Sequence, residues 1–138
     1  MDHRPVGAPA LDRAVAARSV PGLVSVWLHG SARSVGQAGD VDLALFAVPG
    51  AVVGVAEAGR FAAEVARALG PGAPPLDVRV MHGNGLELAH EVLTHGELLW
   101  QSDADERAWV EATFASAWLD AQWLHTVADA ARRDRDAA

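Results

Sequence analysis

The chain has 138 residues, of which 51% are apolar and 21% are charged, and its formal net charge is −7. These values predict one globular domain over residues 1–138, with a core over about 8–124 and a frayed tail over about 132–138. The acidic balance argues against direct nucleic-acid binding, and the absence of cysteine excludes disulfides and thiolate metal sites. Because the sequence contains neither a signal-peptide pattern nor a long apolar run, we expect a cytoplasmic protein without a membrane contact.

Hydrophobic periodicity and turn residues predict an α/β (α+β) chain with a small mixed sheet, flanking helices and a long C-terminal helix. The predicted helices cover residues 8–20, 55–69, 86–94 and 105–133. The predicted strands cover residues 23–28, 41–48, 76–81 and 97–100. The second strand is almost continuously apolar, as a central strand would be, and the last is short enough for a sheet edge. Gly96 is placed to end the third helix.

Candidate site residues follow or begin three of the predicted strands. Gly30 and Ser31 come after the first strand, Asp40 and Asp42 stand at the start of the second, and Asp77 stands at the start of the third. Residues two apart on an extended chain point to the same side, so Asp40 and Asp42 share a face. A helical crossover makes the second and third strands parallel, and an antiparallel first strand brings its end to the same corner. We therefore expect the five residues to converge.

Carboxylates gathered in this way repel one another unless a cation lies between them. Hard oxygen ligands suit Mg²⁺, which proteins hold with a few carboxylates together with substrate phosphates. Two such ions can stabilise both the attacking and the leaving oxygen of a displacement at phosphorus. The sequence therefore predicts a two-metal Mg²⁺ site formed by Asp40, Asp42 and Asp77.

A Gly-Ser turn, a polar loop, Asp-x-Asp on a strand and a later strand carboxylate together resemble the DNA polymerase β-type nucleotidyltransferase superfamily. More narrowly, the chain resembles the minimal nucleotidyltransferases, the MntA-type antitoxins, over roughly residues 23–124. The likeness includes the third-carboxylate strand around Asp77 and the helix–glycine–strand segment that follows it. It implies the polymerase β-type nucleotidyltransferase fold and ATP as the nucleotide donor. It also implies that Gly30 and Ser31 hold the triphosphate and that Arg33 contacts phosphate.

The same resemblance implies transfer of AMP from ATP with release of pyrophosphate. Asp40 and Asp42 would bind both metal ions, and Asp77 would bind the catalytic ion and help to deprotonate the acceptor hydroxyl. In the antitoxin branch the acceptor is a tyrosine of a HEPN-type ribonuclease toxin, which the modification inactivates. This chain contains no tyrosine, so such an acceptor must lie on another protein.

Two other functions stay open on the sequence. The loop between Ser31 and Asp40 has eight residues, shorter than is usual in the family, so the chain could neutralise a toxin by binding alone. A small-molecule hydroxyl is a lower-ranked acceptor, since enzymes of that kind usually carry an additional helical domain. The tryptophans of the last helix, Trp109, Trp118 and Trp123, indicate packing on the sheet, a partner interface, or both. His29 is interpreted as a structural residue, and the other histidines do not predict a zinc site.

Overall fold

The computed structural model describes residues 8–16, 20–30, 41–82 and 85–137. Within these residues, helices and strands follow one another in the order expected from the sequence. The helices are α1 (Ala8–Ala16), α2 (Val55–Leu69), α3 (Leu86–His95) and α4 (Ala104–Ala137). The strands are β1 (Leu23–His29), β2 (Val41–Ala47), β3 (Leu76–Val80) and β4 (Glu97–Gln101). Residues 17–19, which the sequence assigns to the first helix, lie outside the described part.

The described strands form one mixed sheet in the order β3-β2-β1-β4. β1 runs antiparallel to both β2 and β4, whereas β2 and β3 are parallel. The parallel pair is joined through α2, which is the crossover predicted from the sequence. The near-continuous burial of β2 agrees with its central place in the sheet, and β4 lies at an edge as expected. The predicted fold class, a small mixed sheet with flanking helices and a long last helix, is therefore confirmed.

Helices cover both faces of the sheet because alternate strand residues point to opposite sides. On one face, Leu43 and Leu45 of β2 pack with α1 and with Phe61 of α2. On the other face, Ala44 and Phe46 pack with α3 and the beginning of α4. The central strand thus contributes to both cores, and burial of these apolar side chains provides the main stabilisation of the fold.

Two glycines mark helix boundaries. The backbone N–H of Gly54, just before α2, donates a 2.8 Å hydrogen bond to the carboxylate of Glu57. Gly96 ends α3, and its N–H donates to the carbonyl of Val92 at 2.7 Å, as the sequence predicts. A Cβ on Gly96 would overlap that carbonyl and lie 3.2 Å from the carbonyl oxygen of Leu28. The α3–β4 connection therefore requires a residue without a side chain.

Helix α4 begins one residue earlier than predicted and continues to Ala137 instead of ending near residue 133. Of the tail expected to be frayed over residues 132–138, the described residues 132–137 belong to this helix. Pairing of Arg132 with Asp129 at 3.0 Å, three residues apart, supports this last part of the helix. Among the described residues, no helix is both long enough and apolar enough to cross a membrane.

Candidate functional site

A row of ionisable side chains crosses the sheet where β1 ends and where β2 and β3 begin. His29 is the register partner of Asp42 across the antiparallel pair, and Asp42 is the register partner of Asp77 across the parallel pair. Neighbouring residues of a strand point to opposite faces of the sheet. Leu43 packs on the face that carries α1 and α2, so Asp42 and the rest of the row lie on the face that carries α3 and α4. The structure therefore brings two of the predicted carboxylates side by side.

Gly30 lies directly against this row. Its φ of +80° is in the left-handed region, which glycine adopts without steric cost. A Cβ at this position would overlap Oδ2 of Asp42 and lie 3.3 Å from its Cγ. The missing side chain thus lets the backbone of Gly30 approach the Asp42 carboxylate. This is the convergence expected from the sequence for Gly30, Asp42 and Asp77.

Arg79 is a charged member of the site that the sequence analysis does not single out. Its Nε donates to Oδ2 of Asp77 at 3.2 Å, and the two side chains are 60% and 42% exposed. An ion pair with this exposure adds little to stability, but it places a cation beside one of the two carboxylates. The signal was present in the sequence, because residues two apart on a strand share a face.

His29 is half-buried within this row of side chains. Burial lowers the pKa of His29 below its ordinary value of 6.5. Asp42 and Asp77 oppose this shift, whereas the cation of Arg79 adds to it. The Nε2 atom of His29 is buried and has no hydrogen-bond partner among the described residues. The structural role assigned to His29 from the sequence stays a prediction, but the residue lies within the row of site side chains.

The remaining predicted site residues, Ser31, Arg33 and Asp40, lie outside the described residues. Within the described part of the chain, no group of three or more histidine and carboxylate side chains is placed to hold a metal ion. Asp42 and Asp77 supply two hard carboxylate ligands, and the approach of Gly30 leaves no side chain between its backbone and Asp42. This donor set fits Mg²⁺ once further oxygen ligands are supplied by substrate, water or another carboxylate.

Clefts lie near the sheet ends in the described part of the chain, and two of them differ in their position relative to the row. One, of about 520 Å³, follows the outer edge of β3 beside α2 and reaches Asp77 and Arg79. The other, of about 260 Å³, is lined by Val48 and Phe114 near the end of β2. Asp77 and Arg79 line the first cleft on its α2 side, whereas roughly 20 Å of extended chain along β2 separates the second cleft from Asp42.

The comparisons with known proteins relate this chain to solved structures. It is similar to a complex of tri-AMPylated Shewanella oneidensis HEPN toxin with MNT antitoxin, with 19% identity and a TM-score of 0.63 over 90% of this chain and 98% of that chain. It is also similar to the MntA–HepT toxin–antitoxin, with 19% identity and a TM-score of 0.57 over 95% and 97%. A third similar structure is a toxin–antitoxin with AMP-PNP, with 20% identity and a TM-score of 0.63 over 91% and 98%. No family model matches the sequence, and no curated protein does. Over about nine-tenths of its length, the chain has the fold of the minimal nucleotidyltransferase MntA, the antitoxin of MntA–HepT complexes.

Proposed function

We propose that this chain is a Mg²⁺-dependent nucleotidyltransferase that acts as an antitoxin. In this proposal it transfers AMP from ATP to a tyrosine of a HEPN-type ribonuclease toxin and thereby inactivates the toxin. The observation that carries the proposal is the register pairing of Asp42 with Asp77, with the backbone of Gly30 against the Asp42 carboxylate. The structural likeness to toxin–antitoxin complexes supports the choice of partner.

The carboxylates would hold the metal, and the glycine turn would hold the nucleotide. Asp42 and Asp77, together with Asp40, are the residues we assign to Mg²⁺, which supplies positive charge against the phosphate oxygens when bound. Gly30 and Ser31 would present backbone N–H groups and a hydroxyl to the triphosphate. Arg33 would contact phosphate, where an arginine fork pairs well with oxygens.

The transfer is a displacement at the α-phosphorus of ATP. The tyrosine oxygen forms a bond to that phosphorus, the bond to the bridging oxygen breaks, and pyrophosphate leaves with the electron pair. The phenolic proton passes to Asp77 or through it to water, in the role of a general base. Because this chain has no tyrosine, modification on tyrosine occurs on another protein.

Intact-mass spectrometry tests this proposal directly. We would incubate a purified HEPN-type ribonuclease from the same organism with the chain, ATP and Mg²⁺, and compare wild type with Asp42→Asn. The matched control is Asp134→Asn, the same chemical change at the exposed end of α4. We expect AMP addition with wild type and Asp134→Asn, and none with Asp42→Asn. An unmodified partner with all three proteins would contradict the proposed activity.

A second candidate function is neutralisation by binding alone. The ion pair between Arg79 and Asp77 favours it, because Arg79 already neutralises one of the carboxylates that would hold the metal. The two functions differ in the ribonuclease assay of the partner. If the chain acts by binding alone, the Asp42→Asn variant still suppresses the ribonuclease. If the chain acts as an enzyme, the variant no longer suppresses it.

A further inference from the structure

Helix α4 has two apolar faces, and the described residues of the domain pack against one of them. On the domain side, Val110 is buried, and Phe114 meets Phe46 edge-on with ring centroids 5.1 Å apart. Farther along, Trp118 stacks on His90 of α3 at 4.3 Å with the rings nearly parallel. These side chains recur at four-residue spacing and account for the attachment of α4 to its own domain.

The opposite face carries a second apolar stripe, which we call the outer seam. Trp109, Leu119, Trp123 and Val127 are 57%, 66%, 66% and 45% exposed. At 100° per residue these side chains fall within one sector of the helix, almost opposite the sector that packs on the domain. The outer seam also includes the small residues Ala112 and Ser116, so its positions repeat at intervals of three and four residues. This spacing matches the seam of a helix that packs lengthwise against another helix.

The second half of α4 extends beyond the domain. Every residue from 122 to 137 is exposed, so this half gains no burial from the described part of the chain. Isolated helices of about 15 residues are marginal in water, and exposed tryptophan and leucine in one stripe are typical of interaction sites. The outer seam therefore needs an occupant to bury it.

Charge selects the kind of occupant. Asp120 borders the outer seam, and no lysine or arginine stands on the helix between residues 108 and 131. The other two acidic residues of this stretch, Glu111 and Asp129, pair with Arg107 and Arg132 away from the seam. Two copies of this chain would bring like charges together, each with a net charge of −7. A ribonuclease, in contrast, carries basic residues to hold RNA phosphates. Opposite charge steers such partners together and disfavours pairing of like chains.

We propose that the outer seam docks an amphipathic helix of a partner protein whose apolar stripe is bordered by arginine or lysine. This inference rests on the proposed function for the partner's identity, the HEPN-type toxin, and assigns the surface that binds it. Docking on α4 would bind the toxin independently of the carboxylate site. Binding and transfer are then separable by substitution.

The test is a binding titration by calorimetry between the chain and the HEPN-type ribonuclease used in the transfer assay. The seam variant is Leu119→Asp with Trp123→Asp, and the matched control is Ala115→Asp with Gln122→Asp. All four positions are exposed, so both variants are expected to fold, which circular dichroism checks. We expect the seam variant to bind at least about 30-fold more weakly, since buried tryptophan and leucine anchors carry much of such an interface. The control should stay within about threefold of wild type.

Several outcomes would overturn the proposal. Equal affinity of the seam variant and the control would do so, and so would failure of the wild-type chain to bind the toxin. Light scattering that finds the chain alone to be a dimer, and the seam variant a monomer, would assign the outer seam to a second copy.

Failure of the inference is distinguishable from failure of the proposed function. Normal binding by the seam variant together with AMP transfer by wild type refutes the seam and leaves the enzyme. Weak binding by the seam variant without AMP transfer by wild type refutes the enzyme and leaves the seam. Asp42→Asn should bind the toxin like wild type.

Discussion

Substitution of Gly30 by alanine should displace the Asp42 carboxylate, and so lower activity, much more than it destabilises the fold. Gly30 has a φ of +80°, and alanine in this region costs about 1–2 kcal/mol. The new Cβ would overlap only the end of the Asp42 side chain, which can rotate away at small cost in stability. We therefore expect Gly30→Ala to lose about 1–2 kcal/mol, a fall in Tm of roughly 6 °C. AMP transfer should fall about 100-fold, because displacing a catalytic group by about 1 Å has an effect of that size.

Gly50 provides a matched control for the conformational cost of placing alanine at a positive φ. Its φ is +84°, and a Cβ there would meet nothing within 4 Å in the described part of the chain. Gly50→Ala should lose about as much stability as Gly30→Ala and keep its activity. Urea denaturation measures the two free energies of unfolding, and initial rates with ATP and the HEPN-type protein measure transfer. Equal transfer rates for the two variants would refute the assigned role of the Gly30–Asp42 contact.

The other predictions concern the helix cap, the buried histidine and the ion pair. Gly96→Ala should lower the free energy of unfolding by about 3 kcal/mol, measured by urea denaturation, because its Cβ would meet two backbone carbonyls. The control Gly59→Ala, where the Cβ points into open space within α2, should raise that free energy by about 0.5–1 kcal/mol. Equal effects of the two substitutions would contradict the packing described at Gly96. His29 binds its proton less readily when folded, so the free energy of unfolding should decrease as the pH falls below 6.5 toward the lowered folded pKa. Urea denaturation across this pH window measures that slope, which should diminish in His29→Gln; an unchanged slope would argue against the burial. Arg79→Ala removes the cation beside Asp77 and should change the free energy of unfolding by less than about 0.5 kcal/mol. In transfer assays it should lower the Mg²⁺ concentration needed for half-maximal rate about fivefold, the equivalent of about 1 kcal/mol. An unchanged or higher Mg²⁺ requirement would contradict that competition.

Much of the fold could be predicted because local signals agree with tertiary packing. Helix α2 has the predicted bounds, since its buried residues follow the helical period and glycines stand at both ends. Gly96 ends α3 as expected because a tight connection leaves no room for a side chain. The parallel pairing of β2 with β3 followed from the length of the crossover, and it places Asp42 beside Asp77. In these cases the spacing of residues in the sequence and the packing of the folded chain require the same helix ends and strand pairing.

Other features depend on contacts that a sequence pattern does not specify. The tryptophans of α4 fit no single stripe because they belong to two faces, and only packing shows that Trp118 faces the domain while Trp123 does not. His29 follows the predicted first strand in the sequence, and its register with Asp42 comes from the pairing of β1 with β2. The pairing of Arg79 with Asp77 depends on rotamers that spacing permits but does not determine.

The two neighbouring carboxylates differ in how firmly the sheet holds their backbones. Asp42 lies on β2, which is hydrogen-bonded on both sides, whereas Asp77 lies on β3, which forms an edge among the described strands. Edge segments open with a smaller free energy than central ones, so amide hydrogens of β3 should exchange with solvent faster than those of β2. Each such opening would separate Asp77 from Asp42 while the rest of the protein stays folded. On heating, the chain should therefore lose its paired carboxylates before the cooperative unfolding transition begins.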